Sequence, residues 1–282
     1  MRVTVTGATG FIGRHYATEM LRRGHDLTVI GREQKSLDEM PWAKKVRFVS
    51  ADVNEKNDSL WQELGATDLL VHLAWPGLPN YNATFHFEEN LLAAYELVRS
   101  FVTAGCPRVL ITGTCFEYGN VQGVISETTP TQPTNPYGLA KDCLHRFLRQ
   151  LQNVTPYRLT WARLFYMYGP GQSPRSLISQ LEAALERGDE SFPMSGGEQL
   201  RDYLRVETVA SHLAMLSEHP TFCGPINVCS GSPISVRRLV EQEIARHDAE
   251  IRLELGHYPY PDYEPFAFWG DKTLLQSLET TP

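Results

Sequence analysis

The sequence predicts an α/β fold, a doubly wound parallel sheet followed by a smaller mixed C-terminal lobe that takes the substrate. Three observations predict it. The chain opens on a strand that runs straight into Thr6-Gly7-Ala8-Thr9-Gly10-Phe11-Ile12-Gly13. Short apolar strands then alternate with helical patterns, as in a parallel sheet covered on both faces. After about residue 165 Pro170, Gly171 and Pro174 break the rhythm, and shorter elements follow. The expected division is 1–165 for the dinucleotide-binding part and 166–282 for the lobe, with the chain free to cross back. At 282 residues and 42% hydrophobic composition, such a chain can bury roughly three quarters of its unfolded surface.

Val3 and Val5 make the first strand, and Ile12, Tyr16, Met20 and Leu21 form the apolar stripe of the helix behind it. Gly7 permits the sharp turn, Gly10 lets backbone approach a phosphate, and Gly13 lets helix and strand pack closely. Unpaired amides and the positive helix end then face a pyrophosphate. Thr9, Phe11 and Ile12 belong to the same turn. The plainer alternative is a tight turn with no ligand, which the flanking pattern disfavours.

The next strand, Asp26 to Ile30, ends in Gly31-Arg32, where an acid would meet a free ribose 2′-hydroxyl. The missing carboxylate and the arginine fork favour NADP over NAD. Asp52 and Val53 follow the strand Val46 to Ser50; Asp52 either meets the adenine amino group or caps a turn. Leu69 to Ala74 reads as a continuous apolar strand, Phe87 to Ala104 as a helix, and Arg108 to Thr112 as another strand. A helix covers Leu177 to Arg187, and Gly196-Gly197 and Gly231-Ser232-Pro233 bound the shorter elements beyond it.

The chemistry concentrates in Tyr137-Gly138-Leu139-Ala140-Lys141, which opens a helix ending near Gln152. A spacing of four places the phenol and the ammonium on one helical face. A free tyrosine titrates near ~10, and a neighbouring cation lowers an acid's pKa, so the pair predicts a phenol able to exchange protons at neutral pH. Upstream, Thr114 in Thr112-Gly113-Thr114-Cys115-Phe116-Glu117-Tyr118-Gly119 stands at a strand end, where its hydroxyl can share a hydrogen bond with a substrate oxygen.

A net charge of −7 without basic runs argues against nucleic acid or an anionic membrane as partner. No stretch is apolar enough to span a bilayer, and the N-terminus reads as a strand. The five cysteines, Cys106, Cys115, Cys143, Cys223 and Cys229, form neither a disulfide framework nor a CxxC pair, and the nine histidines form no HxH or HxxH pair. A cytoplasmic protein without a metal is expected.

Taken in order, these stretches resemble the extended short-chain dehydrogenase/reductase superfamily, built on the Rossmann fold, and in particular its sugar-nucleotide epimerases, dehydratases and reductases. Further matches are His72-Leu73-Ala74, Asn90, Arg163 to Pro170, Arg201-Asp202-Tyr203-Leu204 and Asn227 to Gly231. The resemblance implies that Tyr137 exchanges a proton with the sugar oxygen, that Lys141 holds the nicotinamide ribose and that Thr114 orients the reacting oxygen. Leu73, Ala74 and Trp75 become neighbours of the cofactor ribose, and Asn90 an anchor beneath it. Arg201 is implied against the substrate diphosphate, with Cys115, Phe116, Tyr166 and Arg175 as further substrate contacts. His72 reads as a strand residue.

Departures from the pattern narrow the reaction. Cys115 and Phe116 replace the acid pair of the 4,6-dehydratases, Tyr166 replaces a substrate-contacting asparagine, and Gly256 to Asp271 lacks the second diphosphate arginine. The chain also stops short of the family's usual last helix. The expected activity is NADP-dependent reduction of a nucleotide-linked keto sugar, a 4-keto-6-deoxyhexose, with hydride from the reduced nicotinamide. A 4-epimerase with tightly bound NAD is the alternative, and a non-catalytic NADP-binding regulator is a third reading. A homodimer through four helices, two from each chain, is expected by analogy.

Overall fold

The computed structural model describes residues 1–55, 64–260 and 265–279; residues 261–264, inside the Gly256 to Asp271 segment, lie outside them. The first five strands are β1 (Arg2–Thr6), β2 (Asp26–Gly31), β3 (Arg47–Ser50), β4 (Leu69–His72) and β5 (Arg108–Thr114). With Arg158–Leu164 and Gly224–Val228 they form one seven-stranded sheet, in the order Gly224–Val228, Arg158–Leu164, β5, β4, β1, β2, β3. Every pairing is parallel. Winding reverses between β1 and β4, which opens a crevice at the C-terminal strand ends.

Helices cover both faces, and alternate strand residues feed two cores. On one face Tyr16, Ala17 and Met20 of the Phe11–Arg22 helix and Leu213 of the Val206–Glu218 helix pack on Val5, Val29 and Ile226. On the other, Val98 and Phe101 of the Leu91–Thr103 helix and Leu144 and Leu148 of the Pro136–Leu151 helix pack on Leu70, Ile111 and Trp161. The Pro136–Leu151 helix starts where the Asn135 side chain accepts from Gly138 N at 2.8 Å, with Pro136 in the first turn.

Beyond the crevice, Tyr166–Tyr168 pairs in parallel with Leu200–Arg205, which pairs antiparallel with Pro233–Ser235. This small mixed sheet rests on a core of its own around Leu181, Phe192 and Val240. The Leu177–Arg187 helix has the expected bounds, because Ser176 is extended at its start and Gly188 is left-handed at its end. The expected Phe87 to Ala104 helix differs. It opens as a π-turn, His86–Asn90, before the α-helix Leu91–Thr103, and the wider turn puts both buried polar residues against the preceding loop: His86 Nε2–H donates to Asn80 O at 2.8 Å and Asn90 Nδ2 to Pro76 O at 3.0 Å. A short helix, Thr273–Glu279, occupies the region where no last helix was expected.

Candidate active site

The glycine turn is held by sterics. Gly7 has φ +73°, and a Cβ there would lie 2.6 Å from Ala74 N; a Cβ on Gly13 would collide with Gly7 O. Gly10 N donates to Gly7 O at 3.0 Å, which closes the turn. The first turn of the Phe11–Arg22 helix contains no acid, so its positive end is not neutralised from within the helix. That end opens into a cleft of about 1100 Å³.

Most of the expected site residues line this cleft. Gly7, Thr9, Gly10, Phe11, Ile12 and Gly13 form its floor at one end, with Arg32, Asp52 and Val53 beside them and Leu73, Ala74 and Trp75 at the middle. Asp52 caps a turn, its Oδ1 accepting from Asn54 N at 2.9 Å, and it also lines the cleft. Toward the small lobe the lining continues through Thr114, Cys115, Phe116, Tyr137, Lys141, Tyr166 and Arg175. His72 is a strand residue sharing a 2.8 Å hydrogen bond with Thr6.

Two residues fall elsewhere. Arg201 is buried at 2% exposure and is not among the lining residues. Its guanidinium donates to the carbonyls of Leu200 and Phe266 at 2.9 and 3.1 Å, and lies 5.0 Å from the centre of the Phe268 ring. Tyr203, two residues along the same strand and on the same face, lines the cleft instead. Asn90 also stays out of the lining; it holds the Pro76 carbonyl, an anchoring contact rather than a cofactor contact.

Tyr137 is buried among rings, with Trp75, Tyr81, His86 and Phe116 centroids 5.3 to 6.3 Å away. Its amide donates to Tyr81 O at 3.0 Å. Lys141 Nζ donates to Thr112 O at 2.8 Å and sits 3.8 Å over the Trp75 ring. The expectation that Lys141 depresses the phenol is corrected by these surroundings. Burial pushes the Tyr137 phenol up, Tyr81 and Glu117 push it further, and a hydrogen bond with Thr114 opposes them. Burial also brings Lys141 down to about 7, against the pull of Glu117. In the ligand-free protein desolvation therefore favours the uncharged form of both groups.

Several site residues escaped the sequence reading. Tyr81 lies in a loop without periodicity, and His86 is visible only through its contacts. Trp75 Nε1 donates to His86 Nδ1 at 3.0 Å, which ties that loop to the cleft. Glu117 carried a signal in its spacing, since Thr114-x-x-Glu117 is a capping box.

A dinucleotide-sized cleft at a topological switch point, with an uncompensated helix N-terminus and a Tyr–Lys pair at its centre, defines a nicotinamide-dependent enzyme. The sequence model of the NAD dependent epimerase/dehydratase family matches residues 3–229, and the chain belongs to that family. It is 30% identical over 277 residues to the dTDP-6-deoxy-L-talose 4-dehydrogenase (NAD(+)) of Aggregatibacter actinomycetemcomitans, covering 96% of this chain and 100% of that one. It is 25% identical to the UDP-glucose 4-epimerase of Halalkalibacterium halodurans, over 86% of this chain and 79% of the relative. Among solved structures, MoeE5 in complex with UDP-glucuronic acid and NAD superposes with a TM-score of 0.83 at 27% identity, covering 99% and 92% of the two chains. The chain is thus a nicotinamide-dependent oxidoreductase or epimerase of the extended short-chain dehydrogenase/reductase superfamily, in a group that works on sugar nucleotides. No described helix is long and apolar enough to cross a membrane.

Proposed function

We propose that this protein reduces the 4-keto group of a nucleotide-linked 6-deoxyhexose, with NADPH as hydride donor and Tyr137 as proton donor. The observation that carries the reading is Tyr137 lining one cleft with Thr114 and Lys141, its phenol pushed up by burial, on a chain matched over 96% of its length by a 6-deoxytalose 4-dehydrogenase. Dehydrogenation and keto reduction are one reaction run in opposite directions, and the same groups serve both.

When bound, the nicotinamide supplies or accepts the hydride. Glycine turn and helix N-terminus suit its pyrophosphate, and Lys141, which lines the same cleft, suits its ribose. Arg32, beside a strand end with no acid, suits a 2′-phosphate. The relative named for NAD(+) makes NAD the competing choice. Thr114 holds the ketone oxygen against the phenol, and Tyr137 delivers its proton as the alkoxide forms. Phe116, Tyr81 and Tyr166 give an apolar wall that suits a C6 methyl. Arg175 and Ser176, at an acid-free helix N-terminus, suit the substrate diphosphate.

A 4-epimerase reading is supported by the UDP-glucose 4-epimerase relative, because Tyr137 can take the hydroxyl proton and return it at one carbon while a retained nicotinamide would accept and give back the hydride, with no net change. Purified protein is mixed with NADPH or NADH and TDP-, CDP-, GDP- and UDP-linked 4-keto sugars, and nicotinamide absorbance is followed. Consumption, faster with NADPH, is expected. Isomerisation of an unmodified nucleotide sugar with co-purified cofactor and no consumption would replace the reductase by the epimerase.

A further inference from the structure

Behind the Thr114 turn lies a buried polar network that the proposed reaction leaves unused. Glu117 is fully buried and Arg163 nearly so. Glu117 Oε1 accepts from Thr114 N at 2.9 Å and from Trp161 Nε1 at 3.0 Å, and Oε2 accepts from Arg163 Nε at 2.7 Å. Arg163 Nη1 donates to Tyr118 OH at 3.0 Å, and that hydroxyl donates to Asn227 Oδ1 at 2.7 Å. Burial pushes the Glu117 carboxyl up. Each of these groups on it is nevertheless a donor, so a protonated acid would have no acceptor among them, and Arg163 holds it ionised.

Stability alone does not account for such a pair, since desolvating two charges offsets much of their attraction. Its placement does. Thr114 Oγ1 accepts from Phe116 N at 3.3 Å while Glu117 takes the Thr114 amide, so each end of the turn fixes the other. Gly113 is fitted to the same arrangement: a Cβ there would collide with Trp161 Nε1 and Glu117 Oε1. The Glu117 carboxylate packs against Gly113, next to the Thr112 whose carbonyl takes Lys141 Nζ at 2.8 Å, so its charge lies on the side of the strand end that holds the ammonium and favours that form of Lys141.

We propose that Glu117 is a positioning residue of the active site, which fixes the Thr114 hydroxyl through the Thr114 amide and keeps a negative charge within electrostatic reach of the Lys141 ammonium. The catalytic half of this inference rests on the reductase reading; the electrostatic half does not. Groups facing Glu117 are Arg163, Tyr118 and Tyr137. Those facing Lys141 are Glu117, His72 and His86, and burial keeps both histidines neutral.

The test follows the Lys141 titration directly, by NMR of its labelled ammonium in cofactor-free protein. In Glu117→Gln the midpoint should fall by about half a pH unit or more, because an attracting charge is gone, and Glu117→Asp should restore most of it. With NADPH and substrate, kcat of the Gln variant should fall at least about tenfold with little change in KM for NADPH, and its alkaline limb should move to lower pH. Should Glu117→Gln fail to fold with Arg163 unpaired, Glu117→Gln/Arg163→Met removes both charges and should show a smaller fall in the same direction, because Arg163, on the far side of the carboxylate, no longer repels the ammonium. An unmoved midpoint, or a kcat lowered equally at every pH, would overturn the proposal. Absence of turnover in the parent protein would count against the reductase alone, since the titration is read without substrate.

Discussion

Tyr137 illustrates how one position can be legible in kind and misleading in sign. The YxxxK spacing locates the pair, and the two residues do share the cleft. Spacing says nothing about the rings of Trp75, Tyr81 and Phe116 that exclude water from the phenol. Desolvation disfavours the phenolate, and the Lys141 cation is engaged with Thr112 O. The protonated state suits ketone reduction, where the phenol must arrive carrying its proton. Tyr137→Phe removes that proton and little else. The expected result is a fall of about 10²- to 10⁴-fold in kcat with NADPH affinity unchanged in a fluorescence titration. A variant that lost cofactor binding in parallel would show a structural rather than a proton-transferring role.

Elements were read most accurately where local chemistry sets their ends. Ser176 and Gly188 bound the Leu177–Arg187 helix, and the glycine turn bounds the first strand and helix. Long-range partners were less legible. The Arg201-Asp202 motif points to the substrate only if Arg201 reaches the cleft, yet the Phe266 carbonyl and Phe268 ring, some 65 residues away in sequence, enclose it. Asp202 instead accepts from the amides of Ser230, Gly231 and Gly270, which joins the lobe's segments. The π-turn before Leu91 depends likewise on carbonyls of a loop that no periodicity describes. On the outer face of the Leu91–Thr103 and Pro136–Leu151 helices, Leu92, Leu139 and Phe147 remain exposed, and Phe147 meets Tyr95 across the pair at 5.9 Å. An apolar stripe shared by two adjacent helices suits the proposed four-helix dimer. Phe147→Asp should shift the protein toward monomer in sedimentation at micromolar concentration while leaving its circular dichroism unchanged. An unaltered sedimentation coefficient, or a parent protein already monomeric, would remove that interface.

For the whole molecule, buried bases and buried phenols together dictate a pH profile of stability. His72 and His145 are pushed down to about 3 by burial, so between there and 6.5 the unfolded chain binds protons that the folded one does not. Stability therefore rises with pH through that window. Lys141 extends the rise: its folded value of about 7 against 10.5 ordinarily means that only the unfolded chain carries this proton between the two, and desolvation of the ammonium ceases to oppose folding as pH increases. Above about 9 the sign reverses, because burial holds the thiols of Cys106, Cys143 and Cys229 and then the phenols of Tyr16, Tyr118 and Tyr137 protonated while those of the unfolded chain ionise. Cofactor-free protein should accordingly reach its highest Tm at about pH 8 to 9, above the usual neutral optimum. Lys141→Met should flatten the curve between about pH 7 and 9 and leave the acid limb in place. Calorimetry across that range decides the matter, and a parent curve already flat above pH 7 would mean that Lys141 keeps its charge at little cost in the empty cleft.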